Sequence, residues 1–167
     1  MKAVVDTNVI LVANQQHENV SGNCVCSCIS ILTNLMKNGK VFIDNSFEII
    51  QEYQKKTQPN TGNRPGDIFV KWVLQNKANI GRCEQVALVP HHQRVWDSFP
   101  TDKKLANFDK ADRKFVAVSN ACSAKPPILQ AADTRWLKWS ADLKRHGIEV
   151  TFLCKKDIQK FRKASEK

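Results

Sequence analysis

Ala3-Val4-Val5-Asp6-Thr7-Asn8 is a short apolar run that breaks into an acid, a hydroxyl and an amide. The run has the composition of a buried strand. Asp-Thr-Asn has that of a helix start, where a side-chain oxygen satisfies backbone N–H groups of the first turn. The stretch predicts a strand over Lys2–Asp6 and a short helix over Asn8–Gln15. In open α/β sheets, ligands bind just beyond the carboxyl ends of the strands. Asp6 is therefore a carboxylate placed where such folds do their chemistry.

Outward from this start, strand and helix patterns alternate. Val25, Ile29, Leu32, Leu35 and Met36 recur at helical spacing and predict a helix over Cys24–Lys37, ended by Gly39 in a left-handed cap. Lys40–Asp44 reads as a strand, and Asn45 or Ser46 as the cap of a helix over Phe47–Lys56. Thr57–Pro65 reads as a flexible loop and Asp67–Asn79 as a helix. Then come a short strand at Cys83–Val89, a helix at His92–Phe99 and a helix at Phe108–Ala124 that Pro126-Pro127 stops. Strand Ile128–Ala132, helix Thr134–His146, strand Ile148–Leu153 and a basic helix at Lys155–Lys163 complete the chain. Such alternation argues for a mostly parallel sheet flanked by helices. No repeat or linker divides it, so the 167 residues read as a single domain.

Lys and Arg outnumber acids 26 to 16, for a net charge of +10. That excess favours a polyanionic partner, because bound cations release counterions from a phosphate backbone. No apolar run approaches a membrane span, and the first residues lack the apolar core of a signal peptide, so the expectation is a cytoplasmic protein without a membrane partner. The six cysteines form no CxxC pair and no zinc-type spacing with His. They read as reduced, buried thiols that pack as small hydrophobes.

Three further acids fall beside strand or helix ends: Glu52 after the second strand, Asp112 near the start of a helix, and Asp133 at the end of Leu129-Gln130-Ala131-Ala132. Parallel neighbours would bring all of them to the edge that holds Asp6. Carboxylates gathered at one point repel unless a cation sits among them. Mg²⁺ or Mn²⁺ suits an all-oxygen set and, as one or two ions, activates water against a phosphodiester. Asp6 also reads as a helix cap, Glu52 as a partner of Lys55 or Lys56, Asp109 as a rival cap to Asp112, and Asp44 as a turn acid. Trp136 and Trp139 read as packing. His91-His92 read as loop. Lys155, Lys156, Lys160, Arg162, Lys163 and Lys167 form a basic tail that either touches phosphates or simply solvates a helix.

Taken together, Asp6-Thr7-Asn8 after a strand, Glu52 in Ile49-Ile50-Gln51-Glu52-Tyr53, Asp112 in Asp112-Arg113-Lys114-Phe115-Val116-Ala117, and Asp133 after a strand resemble the PIN-domain nuclease pattern over roughly Lys2 to Leu153. The resemblance implies a three-layer α/β/α sandwich. It implies metal-dependent phosphodiester hydrolysis, with RNA favoured over DNA as the nucleic-acid partner. Asp6, Glu52, Asp112 and Asp133 would take the catalytic, metal-binding positions, with Thr7 and Asn8 in support. Lys103, Lys104, Arg113 and Arg135 lie nearest the expected pocket and are the substrate-binding expectations. The resemblance also implies a homodimer. It leaves open a toxin held by an antitoxin, a defence-system effector under a regulatory protein partner, or a processing enzyme. Haloacid-dehalogenase-like phosphatases need an acid where Asn8 stands, and receiver domains need a paired acid on one strand. The alternative from another class is a non-catalytic PIN-like module that binds nucleic acid or protein.

Overall fold

The computed structural model describes residues 1–165. In chain order it comprises β1 (Lys2–Val5), α1 (Thr7–Ala13), α2 (Gly22–Asn38), β2 (Lys40–Asp44), α3 (Glu48–Lys56), α4 (Pro65–Asn76) and β3 (Cys83–Val86). A small hairpin of β4 (Pro90–His91) and β5 (Val95–Trp96) follows, then α5 (Arg113–Ala121), β6 (Ile128–Gln130), α6 (Thr134–Arg145), β7 (Val150–Phe152) and α7 (Lys155–Ser165). The chain folds as an α/β/α sandwich around a parallel sheet of order β3-β2-β1-β6-β7. No helix among the described residues is long and apolar enough to cross a membrane.

The order of the strands explains the layers. From β1 the chain steps outward through β2 to β3, then returns to place β6 and β7 on the other side of β1. Right-handed crossovers put the connections of the first direction on one face and those of the reversed direction on the other. α1, α2, α3 and α4 accordingly pack among themselves, while α5 lies over β1 and β2. The direction reverses between β1 and β6, whose register pairs Val4 with Ile128 and Val5 with Leu129. Central strands are covered on both faces and so carry continuous apolar runs. Ala3, Val4 and Val5, like Val41, Phe42 and Ile43, are at most 2% exposed.

Local chemistry overrides several sequence expectations. His92–Phe99 is not a helix. Pro90 cannot donate to a ladder but fits a short edge strand, and the His91 ring Nδ1 accepts from the backbone of Gln93 and Arg94, closing a turn. Val95 leaves that turn at φ 73°, a strained conformation for a β-branched residue. α5 begins at Arg113 rather than Phe108. Asp109 holds Ala111 N in a turn, and Phe108 is drawn into the core against Phe99, Trp136 and Trp139. The two tryptophans are packing residues here. Gly39 is extended, not left-handed; it is glycine because a Cβ would come within 2.8 Å of Leu35 Cα. α3 is capped by buried Asp44, which accepts from Glu48 N and Ile49 N, whereas Asn45 accepts from Leu88 N. Of the basic tail, Lys167 lies outside the described residues.

The 57–64 loop is pinned, not free. Asp67, fully buried, accepts from Asn14 Nδ2, Gln58 N and Arg64 Nε. Asn14 Oδ1 in turn accepts from Gly66 N at 2.7 Å, so α1 and α4 meet backbone to side chain. A Cβ on Gly66 would stand 2.5 Å from Ile10 O and 2.7 Å from Asn14 Oδ1. Gly66→Ala is expected to lower stability by about 1–3 kcal/mol through this overpacking, read as a lower urea midpoint. An unchanged midpoint would mean that α4 can shift off α1 at no cost.

Candidate active site

Asp6 sits in the seam where the strand order reverses, its backbone N–H donating to Leu129 O. The carboxylate oxygen Oδ1 accepts from Asn8 N at 2.8 Å, capping α1, and from Gln130 Nε2 at 3.0 Å. Asp6 is therefore both the cap and a buried acid, only 4% exposed. Asn8 holds Asp6 through its backbone alone. Its side-chain oxygen accepts from Ala132 N, which ties the ends of β1 and β6 together.

Glu52 reaches the same edge because α3 is anchored by Ile49 and Ile50 in the core and by the Tyr53 hydroxyl, which donates to Val5 O. One Glu52 oxygen accepts from the Thr7 hydroxyl at 2.5 Å, and the other pairs with Lys114 Nζ at 2.5 Å. Thr7 thus positions Glu52 rather than Asp6. Asp112 immediately precedes α5 without capping it, so its carboxylate is not committed to its own helix. Burial, then the Asp112 charge, and more weakly Glu52 push the Asp6 carboxyl up to about 8. Burial and the charge of Asp109, with Glu52 behind them, push Asp112 up to about 6. Asp6, Glu52 and Asp112 form one electrostatic cluster.

Above this cluster opens a cleft of about 530 Å³, lined by Glu52, Asp109, Asp112, Lys55, Lys56, Lys114 and Arg135. Neither Asp6, which is buried, nor Asp133 is among its lining residues. Asp133 caps α6 through Arg135 N and pairs with Arg135 Nη2 at 2.7 Å, while Arg135 Nη1 reaches Asp109 at 3.3 Å. The fourth acid is joined to the cleft only through Arg135.

The expected substrate cations divide differently. Arg135 lines the cleft but is held by two acids. Lys103 and Lys104 are exposed on a single 3₁₀ turn away from the cleft lining. Arg113 is buried, its guanidinium on the carbonyls of Ala106 and Phe108 and 4.6 Å from the Phe99 ring centroid, so it braces the loop before α5 and is closed to substrate. Exposed Lys55 and Lys56 take the rim instead, while Lys114, also in the lining, is buried and held by Glu52 and the Ala111 carbonyl. Lys55 and Lys56 stand one turn after Glu52, a helical spacing that could have flagged them. Gln130 and Lys114 carry no such signal, since only the fold brings them to the acids.

The cysteines also depart from the expectation of six reduced thiols. Cys24 and Cys154 form a disulfide across 130 residues, with Cα atoms 5.0 Å apart. Cys28, Cys83 and Cys122 are free and buried, Cys26 free and exposed. Burial pushes the Cys28 thiol up to about 12.

Compared with protein-family models, curated proteins and solved structures, the chain matches none.

Because the Asp6 carboxyl lies at about 8 when folded, against 3.8 ordinarily, the folded chain holds a proton that the unfolded chain has released between about pH 4 and 8. Stability must fall as pH rises through that window. The metal-free protein is expected to melt lower at pH 8 than at pH 5, and Asp6→Asn to flatten most of that slope. A wild-type slope matching the variant's would show that Asp6 is ionised in the folded protein at neutral pH.

Proposed function

We propose that this protein is a metal-dependent nuclease of the PIN-domain type, acting on RNA in preference to DNA. What supports it is the buried Asp6 at the reversal of strand order, with Glu52 and Asp112 close enough to oppose its ionisation beneath a lysine-rimmed cleft. The donors suit a hard divalent cation in kind, being all carboxylate oxygens whose mutual repulsion positive charge relieves. Among the described residues the three do not bring an oxygen each within 4.8 Å of one another, so an ion would have to draw them together. Asp6, Glu52 and Asp112 are the residues that would hold Mg²⁺ or Mn²⁺. Bound there, the ion would supply a Lewis acid for a phosphoryl oxygen and a bound water that ionises more easily than bulk water.

The rest of the work belongs to the chain. Asn8 N and Gln130 Nε2 fix the Asp6 carboxylate, and Thr7 and Lys114 fix that of Glu52. Such partners keep donor oxygens aimed without reorganisation. Exposed Lys55 and Lys56 sit on the cleft rim where a phosphate backbone would pass, and phosphate contacts of this kind position a strand without reading its sequence.

With Mn²⁺ and a fluorescent single-stranded RNA, Asp6→Asn and Asp112→Asn are each expected to slow cleavage by at least about 100-fold. Asp133→Asn, which keeps a good helix cap, is expected to cost less. Lack of cleavage of any RNA or DNA by the wild type would overturn the reading.

A second reading rests on the ion pairs. Lys114 on Glu52 and Arg135 on Asp133 and Asp109 already neutralise three acids, as a non-catalytic binding module would. Thermal melting in Mn²⁺ separates the two. At 100 times its dissociation constant, a ligand specific to the folded state adds about 2.7 kcal/mol, so the nuclease reading expects a raised midpoint at pH 8 that Asp6→Asn abolishes. A binding module expects no shift in either protein.

A further inference from the structure

A second cluster of ligand atoms lies elsewhere in the fold, and it is sulfur. Cys24 and Cys28 stand one turn apart on α2, so they share a face, and Cys154 arrives between β7 and α7. The three sulfurs lie within 4.8 Å of one another, with Cys28 Sγ 4.0 Å from Cys154 Sγ. All three residues are at most 3% exposed. A separate cleft of about 500 Å³ has Cys24 and Cys154 in its lining, together with Lys155, Lys156 and Lys160.

We propose that, when the Cys24–Cys154 disulfide is reduced, Cys24, Cys28 and Cys154 form a binding site for a thiophilic divalent cation of the zinc class, with its fourth position facing the lysine-lined cleft.

The spacing is already close to what the site needs. Tetrahedral coordination with metal–sulfur bonds of about 2.3 Å sets ligand sulfurs about 3.8 Å apart. Cys28 and Cys154 are already close to that at 4.0 Å and Cys24 lies within 4.8 Å of Cys28, so the main change is separation of the bonded pair. The ligand type selects the ion: thiolates favour zinc-class cations, whereas the carboxylate cleft favours Mg²⁺ or Mn²⁺. Three thiolates and one divalent cation leave a single negative charge. The three lysines of the cleft offset it and outnumber Asp157, which also lines the cleft and accepts from Ser21 N and Oγ. The cleft supplies an entry path.

The chemistry balances with a reductant of the thiol or phosphine class. Two external thiols reduce the Cys24–Cys154 bond, giving two protein thiols and one external disulfide. Metal entry then forms three metal–sulfur bonds and releases three protons to solvent. Disulfide and metal exclude each other, because they use the same two sulfurs. The site is therefore open only to the reduced chain.

The test uses the full chain, reduced with a phosphine that is then removed under nitrogen, and Cd²⁺ as the probe. One Cd²⁺ per chain is expected, with an ultraviolet thiolate-to-cadmium charge-transfer band that the oxidised chain does not give. Cys28→Ser is expected to weaken binding by at least about tenfold. Cys26→Ser, which removes the exposed cysteine of the same helix, should titrate like the wild type. Absence of the band in the reduced wild type, or equal titrations for Cys28→Ser and wild type, would overturn the proposal. Alkylation followed by mass spectrometry tests it without any variant. Cd²⁺ should protect Cys24, Cys28 and Cys154 together while Cys26 stays reactive, and protection of Cys24 and Cys154 without Cys28 would refute the site.

Discussion

Asp6 is an acid in the interior, resisted by two other acids, at the one place in the sheet where the strand order reverses. A buried carboxylate in that position must keep its proton or acquire a counter-charge. Much of the surrounding structure follows from that constraint. Gln130 and the first turn of α1 donate to Asp6. Thr7 and Lys114 hold Glu52 at a fixed place beside it. Tyr53 pins α3 to the end of β1, so the neighbouring Glu52 cannot drift from the cluster. The fold holds like charges together by burying their backbone supports in the core.

The parallel sheet was legible because its signals are local and periodic. Short apolar runs ending in an acid mark β1 and β2, and helical spacing marks α2. Acid positions at strand ends were legible for the same reason, since a parallel sheet sends every carboxyl end to one edge. Other features were closed to that kind of reading. The β4–β5 hairpin depends on a ring nitrogen of His91 closing a turn, which periodicity does not report. Arg113 differs from a surface cation only through carbonyls contributed by the loop before it. Asp133 looks like Asp6 in sequence, yet the Arg two residues later claims its carboxylate. The Cys24–Cys154 bond joins segments with no local sign of each other.

The two donor sets proposed for this chain differ in hardness and in what controls them. The proposed oxygen set answers to protons, because burial and neighbouring acids push Asp6 up to about 8 and Asp112 up to about 6. The sulfur set answers to electrons, because two of its three atoms are either bonded to each other or free. They lie on different elements: one set at the carboxyl end of β1 and its neighbours, the other on α2 and the start of α7. A change of pH and a change of redox potential would therefore act on separate parts of one molecule.

The disulfide spans 130 residues, so in the oxidised protein residues 24–154 belong to one covalent ring. The unfolded oxidised chain is a lasso, not a string, and closing so large a loop removes on the order of 5 kcal/mol of denatured-state entropy in the chain-entropy model. A motor that threads polypeptides would reach a doubled strand at Cys24 or at Cys154. Oxidation would thus change how the molecule can be dismantled without altering how it is folded.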